Sequence, residues 1–185
     1  MNIVPSTFNH LIIVFFGNPS VISVLFYLFY LYRINNFIYQ DIVIYPSVFM
    51  YWTFNEWFIH NYLFHANFNW LGKYYHIEHH KKPYYHVSID NFFHIWLWIS
   101  FHHSFFFEIL RTFNKHQYFS NLMIPYVLSG FMYMFLHYSA HCKYVPSNKY
   151  WRQIIEHHQK HHQLNTHKNF SFILPFFDRI FKTNI

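Results

Sequence analysis

The sequence predicts an all-α integral membrane protein, in which a four-helix bundle carries a histidine-rich helical cap. Only 11% of the 185 residues are charged, less than half of the roughly one quarter that is typical of soluble domains. Four apolar stretches are each about 20 residues long, enough for a helix to cross the hydrocarbon core of a bilayer. With 54% hydrophobic residues and one cysteine, the composition excludes a disordered chain and a disulfide-stapled domain.

The predicted membrane helices occupy four ranges along the chain, and the first contains a possible break at Gly17, Asn18 and Pro19. The ranges are 11–32, 42–60, 92–110 and 119–138. The cap comprises residues 61–91 and 139–185, so we expect residues 1–185 to form a single domain. A soluble helical core is the alternative, because polar residues such as Glu56 interrupt the apolar stretches.

The basic residues predict which side of the membrane the cap occupies. Three of the 13 lysines and arginines follow the first and third helices: Arg33, Arg111 and Lys115. The other ten lie in the second connector and the tail: Lys73, Lys81, Lys82, Lys143, Lys149, Arg152, Lys160, Lys168, Arg179 and Lys182. Because positive charge marks the cytosolic side, we expect a multi-pass protein with the cap and both termini in the cytosol. The basic residues form no stripe, which argues against nucleic-acid binding.

The histidines predict a metal site. Ten of the 18 have the spacing of one helix face or lie at helix ends: His60, His65, His76, His79, His80, His137, His141, His158, His161 and His162. Positions i, i+3 and i+4 share a helix face, so each triplet projects three imidazoles together. Zinc binds about four ligands and iron up to about six, so ten imidazoles indicate two metal ions. A histidine-rich metal-binding or metal-transporting membrane protein is the non-enzyme alternative.

Five motifs carry a resemblance to a known family. Glu56–His65 matches E-Y-x-x-H-R-x-L-F-H, and His76–Pro83 matches H-x-x-H-H-K-x-P. Tyr133, His137 and His141 match Y-x-x-x-H-x-x-x-H. The histidine cluster His157–His162 comes next, and Phe177–Thr183 corresponds to W-D-x-x-F-x-T. In this order they resemble the fatty acid hydroxylase and sterol desaturase superfamily. The gap of five residues between His60 and His65 is most similar to the fatty-acid 2-hydroxylases.

The resemblance implies a di-iron oxygenase of the endoplasmic reticulum membrane that hydroxylates a lipid acyl chain, at C2 of a fatty acid or ceramide. The ten histidines would be the metal ligands, and zinc would fit the same imidazoles in a purified sample. Dioxygen would be the oxidant, and electrons would come from a separate cytochrome b5 and its NAD(P)H reductase. A sterol or other lipid desaturase or oxidase of the same superfamily is the alternative.

Other polar residues are predicted to support the site. Candidates for orienting the ligand imidazoles are Glu56, Glu78, Glu156, Asp178 and His157, and candidates for a substrate groove are His102 and His103. Three positions depart from the family pattern. Asn61 replaces an arginine, Cys142 stands where a histidine often follows His141, and residues 169–172 lack the family's glycines.

Overall fold

The computed structural model describes residues 4–82 and 92–185, and within them every regular element is a helix. The elements are α1 (Phe8–Phe16), α2 (Pro19–Ile34), α3 (Asp41–Phe58), a π-helix (Ile59–Phe64), α4 (Leu71–Lys81), α5 (Phe92–Thr112), a 3-10 turn (His116–Tyr118), α6 (Phe119–Ala140), α7 (Lys149–Gln163) and α8 (Phe176–Ile180). The all-α prediction is therefore confirmed for these residues. Pro83 and the remainder of the cap segment up to residue 91 lie outside the described residues.

The predicted first helix, residues 11–32, is divided into two helices, α1 and α2. The break lies at the position that the sequence marks. Asn18 caps α2 by accepting a hydrogen bond from the backbone N–H of Ser20 at 2.8 Å, and Pro19 occupies the first turn, where its missing N–H costs nothing. The local chemistry thus favours a new helix start over continuation of α1.

The apolar lengths support fewer membrane spans than four. Within residues 4–82 and 92–185, one continuous helical segment, His116–Ala140, is long and apolar enough to cross a membrane. The bent pair of α1 and α2 raises this to two if the pair is a single span. α3 and α5 carry polar side chains such as Glu56 and His102, which lower their mean hydropathy. The four-helix membrane bundle therefore stays a prediction.

The chain divides into two compact units, and the first contains all ten histidines singled out above. This first unit comprises Met1–Phe15, Thr53–Ile89 and Met132–Ile185. In its core, α1 buries Leu11 and Phe15, and the Phe15 ring packs at 5.5 Å from that of Tyr138. α7 buries Ile154 and Ile155 in a cluster with Phe172. This packing holds α6 and α7 beside the histidines at their C-terminal ends.

The second unit comprises Phe16–Trp52 and Asp90–Phe131. It is held by apolar packing and by several polar contacts between helices. The Trp96 indole donates to the Ser23 hydroxyl at 3.0 Å, and the Asn121 amide donates to the Asp41 carboxylate at 2.9 Å. These contacts satisfy polar groups that would otherwise be costly to bury.

Candidate metal centre

The π-helix brings His60 and His65 to the same side of the chain. On an α-helix, residues five apart point about 140° away from each other. Here the backbone N–H of His65 donates to the carbonyl of His60 at 3.3 Å, the i to i+5 bond that defines a π-turn. The two ring centroids are 5.2 Å apart as a result. The predicted helix ends at residue 60, so the prediction lacks the π-turn, whose signal in the sequence is the five-residue spacing of His60 and His65.

Five imidazoles converge in the first histidine group: His60, His65, His76, His80 and His161. One ligand atom from each lies within 4.8 Å of all the others. The Nε2 atoms of His60 and His161 are 3.0 Å apart, and that of His76 lies 3.0 Å from that of His65. The π-helix, α4 and α7 thus present their histidines to one point.

The second histidine group contains the other five: His79, His137, His141, His158 and His162. Their ligand atoms also lie within 4.8 Å of one another. The Nε2 atom of His158 lies 3.1 Å from that of His141 and 3.0 Å from that of His162. The His137 and His79 Nε2 atoms are 3.1 Å apart. Histidines from α4, α6 and α7 form this group, together with His141 just after α6.

Each helical triplet is divided between the two groups. α4 gives His76 and His80 to the first group and His79 to the second, whereas α7 gives His161 to the first and His158 and His162 to the second. The His80 and His162 rings stack with their centroids 4.2 Å apart. The two groups are therefore direct neighbours, with α4 and α7 shared by both.

The hydrogen bonds of two imidazoles test whether a cation fits between them. The Nδ1–H of His60 donates to the Phe170 carbonyl at 2.6 Å, and the Nδ1–H of His161 donates to the Lys168 carbonyl at 2.7 Å. A neutral imidazole carries one proton, so both Nε2 atoms then carry lone pairs. These lone pairs face each other at 3.0 Å, an arrangement that a bound cation stabilises. The residues of the first group therefore fit a metal ion.

Burial favours the neutral form, which metal binding requires, at several imidazoles of both groups. Burial, followed by neighbouring imidazoles, lowers the pKa of His65 to about 3 and that of His80 to about 4. The same causes lower the pKa of His161 to about 4. In the second group, burial and adjacent histidines hold the pKa values of His158 and His162 well below the usual range.

Three of the five residues predicted to orient imidazoles belong to one buried network. Asp178 accepts from His157 Nε2 at 3.0 Å and from the backbone N–H of Ser171 at 2.7 Å. Burial raises the pKa of this carboxyl, but hydrogen bonds from His157, Thr183 and Ser171 outweigh it, and the pKa is lowered. Glu56 accepts from the backbone N–H of Phe172 at 2.7 Å. These residues thus act on the backbone near the imidazoles.

Within the part of the chain that the structure describes, the other two acids form no hydrogen bond with an imidazole. Glu78 forms an exposed ion pair with Lys81 at 2.9 Å, and Glu156 is exposed on α7. Each is two residues from a histidine of its own triplet, His76 or His158, which places it about 200° around the helix from that ligand. Helical periodicity therefore explains their positions.

His102 and His103, the candidates for a substrate groove, lie in the second unit. His102 is 3% exposed, and its Nδ1 is 2.7 Å from the Tyr126 hydroxyl. His103 Nδ1 is 2.8 Å from the Tyr27 hydroxyl. Both rings therefore have tyrosine partners within that unit.

One departure from the family pattern, Asn169 in place of a glycine, has a structural explanation. Asn169 adopts a left-handed backbone with φ of 58°, a conformation that glycine accepts freely and that asparagine tolerates better than most residues. Its side chain donates to the His157 carbonyl at 3.1 Å. The Cys142 thiol donates to the Tyr138 carbonyl at 3.3 Å.

Sequence reasoning missed the carbonyls of Lys168 and Phe170, because a main-chain acceptor has no side-chain signature.

Gly72 is required by the side chain that supports the π-helix. The indole of Trp70 donates to the Leu63 carbonyl at 2.7 Å and stacks on the ring of Phe64. A Cβ atom at Gly72 would overlap that indole. We expect Gly72→Ala to lower the free energy of unfolding by about 1–3 kcal/mol, the usual cost of overpacking.

The matched control for this substitution is Gly130→Ala within α6. A Cβ atom there meets Trp52 Nε1 at 3.5 Å, an ordinary contact. Because alanine favours a helix over glycine by about 0.8–1 kcal/mol, this variant should be neutral or stabilised. Equilibrium unfolding in detergent compares the two, and equal stability of both variants would show that Trp70 is not fixed in place.

Comparison with known proteins gives one match. A family model described as fatty acid hydroxylase matches residues 45–183, about three quarters of the chain. No curated protein and no solved structure matches the chain. The matched range contains both histidine groups, the π-helix and the network around Asp178.

Proposed function

Because the chain belongs to the fatty acid hydroxylase family, we propose that it is a membrane-bound di-iron oxygenase that hydroxylates a lipid acyl chain. The family itself implies an oxidoreductase that acts on lipids as a hydroxylase or desaturase. The observation that carries the proposal is the pair of adjacent five-histidine groups. Of the lipid substrates, we favour C2 of a fatty acid or of the acyl chain of ceramide, since the His60–His65 spacing resembles the 2-hydroxylases.

Iron is the metal that this chemistry requires. Two iron ions, when bound, would supply the reduction of dioxygen and the oxidation of an unactivated C–H bond, for which zinc has no redox chemistry. Zinc would nevertheless fit the same imidazoles in a purified sample. The donor set is nitrogen-rich, which suits iron as well as zinc.

The protein's own residues prepare this site in three ways. They present Nε2 lone pairs, as for His60 and His161, whose Nδ1 protons are held on carbonyls. They keep the imidazoles neutral through burial. Phe170 and Phe172, each 2% exposed, cover the groups with aromatic rings, and such apolar cover excludes water and strengthens electrostatic interactions inside.

The membrane and redox partners of the chain are part of the same proposal. We place the protein in the endoplasmic reticulum membrane as a multi-pass protein, with the cap and both termini in the cytosol. The charge distribution and the apolar segment His116–Ala140 support this placement. Electrons are proposed to come from a separate cytochrome b5 and its NAD(P)H reductase. Exposed basic residues such as Lys81 and Lys82 beside α4 suit an acidic partner.

Labelled dioxygen tests the proposed reaction. The full chain, loaded with iron in membranes, is supplied with cytochrome b5, its reductase, NADH and ¹⁸O₂, and the lipids are then analysed by mass spectrometry. We expect a 2-hydroxylated acyl product that contains one ¹⁸O atom. A desaturated or sterol product would instead support the alternative within the superfamily. Absence of any oxidised lipid, with two irons bound, contradicts an oxygenase.

A further inference from the structure

Residues 168–173, here called the strap, are held by two buried carboxyl groups, those of Asp178 and Glu56, through four consecutive backbone N–H groups. The N–H groups of Phe170 and Ser171 donate to the two oxygens of Asp178 at 2.9 and 2.7 Å. Those of Phe172 and Ile173 donate to one oxygen of Glu56, Oε1, at 2.7 and 3.3 Å. Hydrogen bonds to a carboxylate are stronger than those to neutral acceptors, and Asp178 has the lowered pKa of an ionised carboxylate, so its two bonds fix the first half of the strap.

The first half of the strap contacts the first histidine group through its backbone. The Lys168 carbonyl accepts the Nδ1–H of His161 at 2.7 Å, and the Phe170 carbonyl accepts the Nδ1–H of His60 at 2.6 Å. These bonds fix both the ring orientation and the tautomer of the two imidazoles. The Phe170 carbonyl shares a planar peptide with the N–H of Ser171, which Asp178 accepts at 2.7 Å, so this carboxylate controls where the carbonyl that serves His60 lies. The Lys168 carbonyl shares its peptide with the N–H of Asn169, which donates to the Thr183 carbonyl at 2.7 Å.

The second half of the strap contacts the second histidine group through a side chain. The ring centroid of Phe172 lies 4.6 Å from that of His158 and 5.7 Å from that of His137. Glu56, which holds the N–H of Phe172, lies on α3 four residues before His60. This contact orders the rings of the second histidine group by packing.

The two anchors differ in how they use their oxygens. Asp178 is fully buried, and both of its oxygens have donors: Oδ1 also accepts from the Thr183 hydroxyl at 2.6 Å, and Oδ2 from His157 at 3.0 Å. Glu56 uses Oε1 for both backbone bonds, while its buried Oε2 has no hydrogen-bond partner within the part of the chain that the structure describes. An amide side chain therefore reproduces the contacts of Glu56 but not those of Asp178.

We propose that Asp178 and Glu56 are positioning residues for different metal sites, Asp178 for the first histidine group and Glu56 for the second. Each acts through the strap and touches no ligand imidazole of its group. The inference rests on the proposed function only in requiring that both groups bind metal. Each of these two acids, both of which belong to the sequence motifs, thus supports one of the two metal sites.

Titration of the metal-depleted full chain with Co²⁺, followed by visible absorption, tests this assignment. Wild type should bind two equivalents. Asp178→Asn places an N–H₂ group against a backbone donor. One equivalent of Co²⁺ should therefore bind about 10–100-fold more weakly, the usual effect of losing a residue that orients a metal ligand. Glu56→Ala should weaken the other equivalent to a similar extent, whereas Glu56→Gln should restore wild-type binding. Glu78→Ala and Glu156→Ala are matched controls that should bind like wild type.

Double variants identify which site each acid supports. In a chain that carries His161→Ala, the remaining metal ion binds the second histidine group, and adding Asp178→Asn should not weaken its binding. In a chain that carries His158→Ala, the remaining metal ion binds the first histidine group, and adding Asp178→Asn should weaken its binding. If wild type binds fewer than two equivalents, the proposed function fails. If wild type binds two, the positioning roles are overturned by any of three results: an Asp178→Asn variant that binds like wild type, loss of both equivalents in that variant, or a Glu56→Gln variant as weak as Glu56→Ala.

Discussion

Replacing His161 with alanine should remove one of two bound metal ions and lower the rate of lipid oxidation by at least about 100-fold. Losing a residue that only orients a metal ligand already lowers metal affinity or activity by about 10–100-fold. His161 is fully buried, and its Nε2 lies 3.0 Å from those of His60 and His80. The substitution leaves four imidazoles in the first histidine group. His158→Ala should have the same effect on the second group. Elemental analysis of the purified protein and the rate of lipid oxidation measure both effects.

The matched control is His116→Ala, which removes an exposed imidazole from the 3-10 turn. This variant should keep two metal ions and the full rate. If His161→Ala keeps both metal ions and full activity, the first histidine group is not a ligand set. Circular dichroism separates metal loss from unfolding, because the helical signal should persist in each single variant.

Removing the metal ions should lower the midpoint of thermal unfolding by about 10–20 °C at pH 7.5. Two sites, each at about 100 times its dissociation constant, stabilise the fold by about 5 kcal/mol in total, and in a chain of this size each kcal/mol shifts the midpoint by about 2–4 °C. Without metal, the lone pairs of His60 and His161 face each other at 3.0 Å. Circular dichroism in detergent, before and after chelation, measures the shift.

The metal-depleted protein should also lose stability as the pH falls below about 6.5, the usual pKa of histidine in an unfolded chain. The folded pKa values are about 3 for His65 and about 4 for His80 and His161. Between pH 6.5 and 4 the unfolded chain therefore binds more protons than the folded one, so the free energy of unfolding decreases with falling pH. The dependence fades about one pH unit above 6.5, where the unfolded-state histidines are also neutral.

Thermal unfolding of the metal-depleted chain at pH 7.5, 6.5 and 5.5 measures this effect. The midpoint should be highest at pH 7.5, somewhat lower at pH 6.5, where half of each unfolded-state histidine is protonated, and clearly lower at pH 5.5. A midpoint at pH 5.5 equal to or above that at pH 7.5 would mean that the histidines are not buried in neutral form. Returning Co²⁺ or zinc at pH 7.5 should restore the lost stability, which is the control for irreversible damage.

Helical periodicity and side-chain chemistry were readable from the sequence. The spacing of His76, His79 and His80 predicts a shared helix face, and α4 places these rings close together. Gly17, Asn18 and Pro19 predicted a break in the first apolar stretch, and α2 begins there, at Pro19. In these cases the signal lies in a few neighbouring residues, so local physical chemistry is sufficient.

Features that depend on distant parts of the chain were not readable. The division of each triplet between two groups arises from how α4 and α7 pack, which no local spacing records. The carbonyls of Lys168 and Phe170 serve imidazoles through the main chain, and any residue supplies a carbonyl.

The positions of Glu78 and Glu156, in contrast, were predictable from helical periodicity, because each lies about 200° around its helix from a histidine of its triplet.

Metal content combined with X-ray absorption tests the central claim, a dinuclear centre formed by ten histidines, most directly. The full chain, purified after expression with added iron, should contain two metal ions per chain. Each metal ion should have about five nitrogen neighbours near ~2.0–2.2 Å. One metal ion per chain or none, or a shell dominated by oxygen ligands, would contradict the account.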